Sequence, residues 1–179
     1  YFPVFTSKGS LLPYFITITN ILAKNSKEIK RGNERVLQAR LEDARFFYNA
    51  DHKKKLEAYL EPLKGVVFQQ NMGTLYDKAI RIEGISKKVA EQICPDQTQK
   101  VQRAAHLCKA DLVTQMVFEF PELQGIAGGY YAGHSGEDPE VAQAIKEHYR
   151  PVFAGDVLPS TPIGSAVAIG DKLDTILGC

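Results

Sequence analysis

The chain has 179 residues, 44% of them hydrophobic and 24% charged, with a formal net charge of +1. That length can bury a real core and that composition is ordinary for a globular protein. So small a net charge gives no global attraction for nucleic acid, and any RNA contact must come from a local basic surface. No apolar run approaches a membrane span, and no leader-like stretch opens the chain. Cys94, Cys108 and Cys179 are odd in number and lack metal-type spacing, which suits free thiols in a reducing cytoplasm. The start at Tyr1 and the stop at Cys179 read as those of a piece of a longer polypeptide.

Tyr1 to Thr6 and Leu12 to Thr19 are β-rich runs joined by Ser7-Lys8-Gly9-Ser10. They predict a hairpin, with Pro3 and Pro13 near the strand starts, where a missing N–H does least harm. Such a ribbon is marginal by itself, so residues 1–25 should lie on the following helices or on a sheet outside this sequence. From Asn25-Ser26 the pattern is helical. Gly32-Asn33 reads as a stop and a new cap, followed by a helix from Glu34 to Ala50 with the stripe Leu37, Leu41, Ala44 and Tyr48. Arg35, Gln38, Glu42 and Arg45 share another face, and Arg40 stands three residues from Asp43. That is either a solvated face laced with ion pairs or a nucleic-acid contact. The cluster His52-Lys53-Lys54-Lys55, expected to start a helix through Leu63, carries the same two readings.

Pro62 to Phe68 is a break followed by a short apolar segment. Thr74 then caps a helix with Asp77 in its first turn and Leu75, Ala79, Ile82, Ile85 and Val89 inward. Cys94-Pro95-Asp96 ends it and caps the next helix. Through Arg103 to Val117 that helix presents Ala104, Leu107, Cys108, Ala110, Val113, Met116 and Val117 at spacings of three and four. Asp111 falls inside the stripe, where an ionised carboxylate needs a cation, a donor or water. Gly125, Gly128, Gly129 and Gly133 would ruin an isolated helix, so they predict close approach of another backbone or of a ligand. Asp138 and Pro139 fit the N-cap and first position of a helix through Tyr149. Pro151 to Pro162 is irregular. A final helix from Thr161-Pro162 carries Asp171 and Asp174 within the pattern Ile163, Val167, Leu173, Leu177.

The chain has no G-x-x-x-x-G-K-[ST] loop, no G-x-G-x-x-G after a strand and no G-x-S-x-G elbow. Cys108 reads as a small core residue. His106 and Asp111 would lie roughly 140° apart on a helix, too far round to share an ion. His134 sits among glycines, and His148 lies near a helix end beside Glu147. No metal centre is expected. Asp111 and Asp171 are either remnants of one or structural acceptors.

Four segments carry a resemblance: Gly32 to Phe47 (GNERVLQARLEDARFF), Gly73 to Lys78 (GTLYDK), Lys109 to Gly125 (KADLVTQMVFEFPELQG) and Gly170 to Thr175 (GDKLDT). With the Tyr1-Phe2-Pro3-Val4 opening, they resemble the β subunit of the bacterial tetrameric glycyl-tRNA synthetase, across nearly the whole chain. The resemblance implies a mainly α fold. A hairpin at 1–25, the end of an upstream β-containing region, would precede a helical HD-phosphohydrolase-like domain at 26–179, truncated at its C-terminus. In that kinship Ala110-Asp111 replaces the His-Asp pair and Asp171 matches the later acid, which implies a scaffold that has lost its metal chemistry. The resemblance further implies an α subunit holding the class II catalytic core with ATP and Mg, a β subunit that binds tRNA(Gly), an α2β2 tetramer and a cytoplasmic location. No cofactor, catalytic residue or metal is then expected in this piece, and Arg35, Arg45, Lys53, Lys54 and Lys55 are the tRNA-contact candidates. The alternatives are a working metal-dependent HD-type phosphohydrolase and a purely architectural body.

Overall fold

The computed structural model describes residues 1–22 and 24–178, so the free thiol expected at Cys179 lies outside the described residues. The chain divides into two compact units, Tyr1–Phe46 and Phe47–Cys179, with the division inside a long helix.

In the first unit, strands β1 (Phe2–Phe5) and β2 (Leu11–Ile16) pair antiparallel, as the hairpin signal predicts. Phe2 faces Ile16, Pro3 faces Phe15 and Phe5 faces Leu11, with an irregularity between Pro3 and Phe5. Gly9 closes the turn at φ +81°, and the Thr6 amide donates to the Ser10 carbonyl at 2.8 Å. Helix α1 (Ser26–Asp51) then runs unbroken through Gly32-Asn33, against the expected stop. The Asn33 side chain bonds back to the Ile29 carbonyl at 2.9 Å, inside the helix, and so caps nothing. The predicted α1 stripe is only partly realised, since Leu41 and Tyr48 are exposed.

The second unit begins with α1 residues 47–51. The expected helix from His52 to Leu63 is instead a turn, a 3-10 segment Leu56–Tyr59 and the short α2 (Leu60–Leu63). In the turn, the Lys53 and Lys54 amides bond the Ala50 and Asp51 carbonyls. The apolar break forms a small ribbon, β3 (Val67–Gln69) with β4 (Gly73–Thr74). Helix α3 (Leu75–Ile93) opens with the predicted cap. Thr74 Oγ1 accepts the Asp77 amide, and Asp77 Oδ2 accepts the Thr74 amide at 2.7 Å. Asp96 caps nothing; it lies in a 3-10 turn, Pro95–Gln97, ahead of α4 (Thr98–Leu107).

The helix predicted through Val117 stops at Leu107. A 3-10 turn, Ala110–Val113, follows, and α5 (Gln115–Glu119) begins anew. Thr114 causes the break. Its backbone is extended, its hydroxyl donates to the Asp111 carbonyl at 2.6 Å, and it accepts the Val117 amide as the cap of α5. After the 3-10 turn Pro121–Leu123 come α6 (Ile126–His134), α7 (Pro139–Glu147) and α8 (Pro162–Gly178). Asp138 caps α7 through the Glu140 amide at 2.8 Å, as expected. The result is the expected mainly α fold behind a short N-terminal hairpin.

Leu63, Ile82, Val101, Leu107, Ile145, Ile163 and Val167 fill the core between α3, α4, α7 and α8. Each contributes about 1.5–3 kcal/mol on leaving water. On α8, Ile163 and Val167 are buried along with Asp171 and Asp174, as the pattern predicts, but Leu173 and Leu177 are exposed, against it. Among the described residues, no helix is long and apolar enough to cross a membrane.

Candidate functional site

The acids of α8 face cations carried by α3 and by the turn after α4. Lys109, 2% exposed, directs its ammonium at Asp171 Oδ2 (2.8 Å) and at His148 Nε2 (2.9 Å), 3.9 Å from the centre of the Tyr149 ring. His148 Nδ1 lies 2.6 Å from the Ile145 carbonyl oxygen, which can only accept. Nδ1 therefore carries the proton, and Nε2 offers its lone pair to Lys109. Complete burial, with the nearby Lys109 charge, pushes the His148 pKa down to about 3, so the imidazole is neutral.

Lys78 lies within 2.9 Å of Asp174 Oδ2 and 2.8 Å of Thr175 Oγ1. It also stands 3.3 Å from Asp171 Oδ1, an ion pair too poorly aimed to count as a hydrogen bond. Arg81 joins Asp174 through Nε and Nη2 and reaches the Met72 carbonyl through Nη1 at 2.7 Å. Burial pushes both aspartates up, but Lys109 at Asp171, and Arg81 with Lys78 at Asp174, outweigh it and hold both carboxyls below the usual range.

Asp111 is satisfied differently. Helix α6 starts at Gly125, which has no side chain with which to cap it and stands at φ +78°. Asp111 Oδ2, from fourteen residues upstream, accepts the Gly125 amide at 2.6 Å and the Gly128 amide at 3.0 Å. It supplies from a distance the acceptor that an N-cap residue normally supplies. A Cβ at Gly128 would come within 3.0 Å of that oxygen. The glycines thus serve close approach, by a carboxylate at 128 and by α7 at 129. Burial raises the Asp111 pKa to about 6, against the two amide bonds. Its Oδ1 has no partner among the described atoms.

Asp51, the buried last residue of α1, plays a like part for α5, accepting the Gln115 and Met116 amides at 3.1 and 2.9 Å and the Tyr131 hydroxyl at 3.1 Å. Buried Glu147 binds the Ser160 amide and hydroxyl, Gln143 and Arg150.

The two expected acids, Asp111 and Asp171, are both buried, and Ala110 beside them is a core residue. Each acid is held by neighbouring protein donors. Lys78, Lys109 and Asp51 were not singled out, and His148, noted only as lying near a helix end beside Glu147, was not read as a partner of Lys109; Lys78 stands three residues from Leu75 and four from Ile82 on the apolar stripe, the same signal that marked Asp111. His106 bonds Glu83 at 2.9 Å, and exposed His134 meets His52 edge-on with ring centres 4.0 Å apart. Cys108 is a core thiol, as read, with its pKa raised to about 12 by burial. Among the described residues, no group of three or more His, Cys, Asp or Glu side chains could hold a metal ion.

The basic candidates are all exposed. Arg35 and Arg45 lie on α1 in the first unit, and Lys53, Lys54 and Lys55 lie in the turn of the second. None of the five makes an ion pair among the described residues; the α1 face instead holds a Gln38–Glu42 bond at 2.9 Å and a Lys30–Glu34 pair at 3.7 Å.

The class so defined is a helical body built round a self-neutralised ionic core, with unpaired cations on its surface. The chain belongs to the glycyl-tRNA synthetase beta subunit family, whose model matches residues 1–179. It is 54% identical over 179 residues to the glycine–tRNA ligase beta subunit of Trichlorobacter lovleyi and 52% identical to that of Citrifermentans bemidjiense, covering 100% of this chain and 26% of each relative. It is 50% identical over 178 residues to that of Proteus mirabilis, covering 99% of this chain and 26% of the relative. The chain thus spans about a quarter of the length of the curated relatives it matches.

Proposed function

We propose that this chain is part of glycine–tRNA ligase and supports the ATP-dependent charging of tRNA(Gly) without itself carrying the chemistry. Its role is to engage tRNA or to space the parts that do, within an α2β2 enzyme of the cytoplasm whose α subunit holds glycine, ATP and Mg. The observation that carries the reading is the family match along the whole chain, joined by five exposed cations with no carboxylate partner among the described residues. Unpaired lysines and arginines are free to displace counterions from a phosphate backbone. The helical part is HD-like in this reading, with Ala110, Asp111 and Asp171 at degenerate positions. A metal-dependent hydrolase would need open donors, whereas Asp111 Oδ2 is taken by two amides, and Asp171 Oδ2 and His148 Nε2 are aimed at Lys109.

The test is tRNA(Gly) binding by the full-length enzyme as salt is varied, with Arg35, Arg45, Lys53, Lys54 and Lys55 reversed to Glu singly and together. Weakened binding with a shallower salt slope supports contact at these sites. Unchanged affinity leaves the architectural role and removes the contact surface.

A further inference from the structure

The basic turn of the second unit carries rings as well as charge. Tyr48 near the end of α1, His52 in the turn, and Tyr131 and His134 in the last turn of α6 form one cluster. His52 stands in its middle, 3.9 Å centre to centre from the Tyr48 ring, 4.0 Å from His134 and 5.0 Å from Tyr131. The floor is fixed. Tyr131 is 4% exposed and donates its hydroxyl to Asp51 Oδ2 at 3.1 Å, and His52 Nδ1 donates to the Tyr48 carbonyl at 2.9 Å. The rim is open: Tyr48 is 40% exposed, and His134 is exposed. Rings left in water forgo the stabilisation that burial would bring.

The rings are also fixed relative to the lysines. Ser135, next to His134, donates its hydroxyl to the Tyr131 carbonyl at 2.7 Å and accepts the amide of Leu56, next to Lys55, at 2.8 Å. That stitches the basic turn to the end of α6. The nearest acids in sequence are already neutralised, since Glu57 and Glu137 both pair with Arg103, at 2.8 and 2.6 Å. Exposed Lys53, Lys54 and Lys55 are left beside exposed rings.

We propose that Tyr48, His52 and His134 form a stacking platform for one unpaired nucleotide of the tRNA, whose flanking phosphates meet Lys53, Lys54 and Lys55. The platform rests on the tRNA-contact reading and adds a second chemistry to it. Phosphate contacts position a backbone, whereas a splayed-out base offers a π-face that any aromatic ring can take. Bases inside a stem are covered by their neighbours, so the occupant is a loop or end nucleotide. Short, stiff aromatic side chains lose little freedom on binding it.

The test is tRNA(Gly) affinity of the full-length enzyme as salt is varied. The ringless variants are Tyr48→Ala, His134→Ala and His134→Leu, the last keeping bulk in case packing suffers. Tyr48→Phe and His134→Phe keep the ring. Thermal unfolding and assembly with the α subunit are followed for each. The ringless variants should bind about 5- to 150-fold more weakly. Their slope of log affinity against log salt should not change, because no phosphate contact is lost. The Phe variants should bind as the parent does. Charge reversal at Lys53, Lys54 and Lys55 reads the phosphate contact separately. If it weakens binding while the ringless variants bind normally, the platform falls and the tRNA reading stands; if neither weakens binding, both fall. Equal weakening in ringless and Phe variants would overturn the platform. So would weakened assembly at unchanged tRNA affinity, which would make the rings part of a protein interface.

Discussion

One ammonium at Lys109 is shared by a carboxylate, an imidazole lone pair and an aromatic ring. Removing it would leave Asp171 with only its poorly aimed contact to Lys78. Lys109→Met should therefore destabilise the helical unit by about 3–5 kcal/mol in denaturant unfolding, as for a broken buried pair. Asp111→Ala strips two charge-assisted bonds from the start of α6 and should cost on the order of 2–4 kcal/mol by the same measurement. Protons discriminate between the two regions. His148 falls to about 3 when folded against an ordinary 6.5, so its contribution is complete above pH 6.5 and is lost as pH falls towards 3. Asp111 rises to about 6 against 3.8, so its contribution is complete below pH 3.8 and is lost as pH rises towards 6. The two oppose each other between pH 3.8 and 6. Asp111→Asn should consequently steepen the loss of stability on acidification in that window, and His148→Gln should flatten it, both read from denaturation midpoints against pH. The acids were legible in the sequence because a carboxylate breaks an apolar stripe. Their partners were not, because a lysine there is equally consistent with a stem lying along the surface, its charge in water.

At the scale of elements, the glycines of α6 divide by what a methyl group would meet. A Cβ at Gly129 would come within 2.8 Å of the Lys146 side chain and 2.9 Å of the Ala142 carbonyl, so Gly129→Ala should part α6 from α7 at a cost of about 1–3 kcal/mol. At Gly133 nothing lies within 4 Å, and Gly133→Ala should stabilise by up to ~1 kcal/mol through helix propensity alone. Thermal unfolding of the two variants gives the contrast directly. Elements with a local chemical signature were readable, such as the Thr74–Asp77 box and the Asp138-Pro139 start of α7. Breaks governed by three-dimensional bonding were not. A short 3-10 turn at 110–113 hardly disturbs the recurrence of apolar residues, so periodicity alone ran α4 into α5. Gly32-Asn33 looked like a stop only because nothing local showed the Asn33 side chain bonding back to Ile29.

At the scale of the whole molecule, the proposed function assigns Arg35, Arg45, Lys53, Lys54 and Lys55 to binding rather than to folding. If each of the three turn lysines meets one phosphate, the slope of log affinity against log salt should fall by roughly 0.7–0.9 per lysine removed. That shift, measured on the full enzyme with glycine tRNA, separates contact from a change of fold. The internal charges limit how the centre can change. Lys109 is a cation covalently fixed to the backbone, so it is neither lost by chelation nor exchanged with the medium. Any variant that replaced it with a captured ion would first pass through an interior with acids outnumbering bases, a state that carries the same cost of about 3–5 kcal/mol before any ion is bound. The hydrophobic body and the electrostatic neutrality of its centre are therefore inherited together, through one side chain.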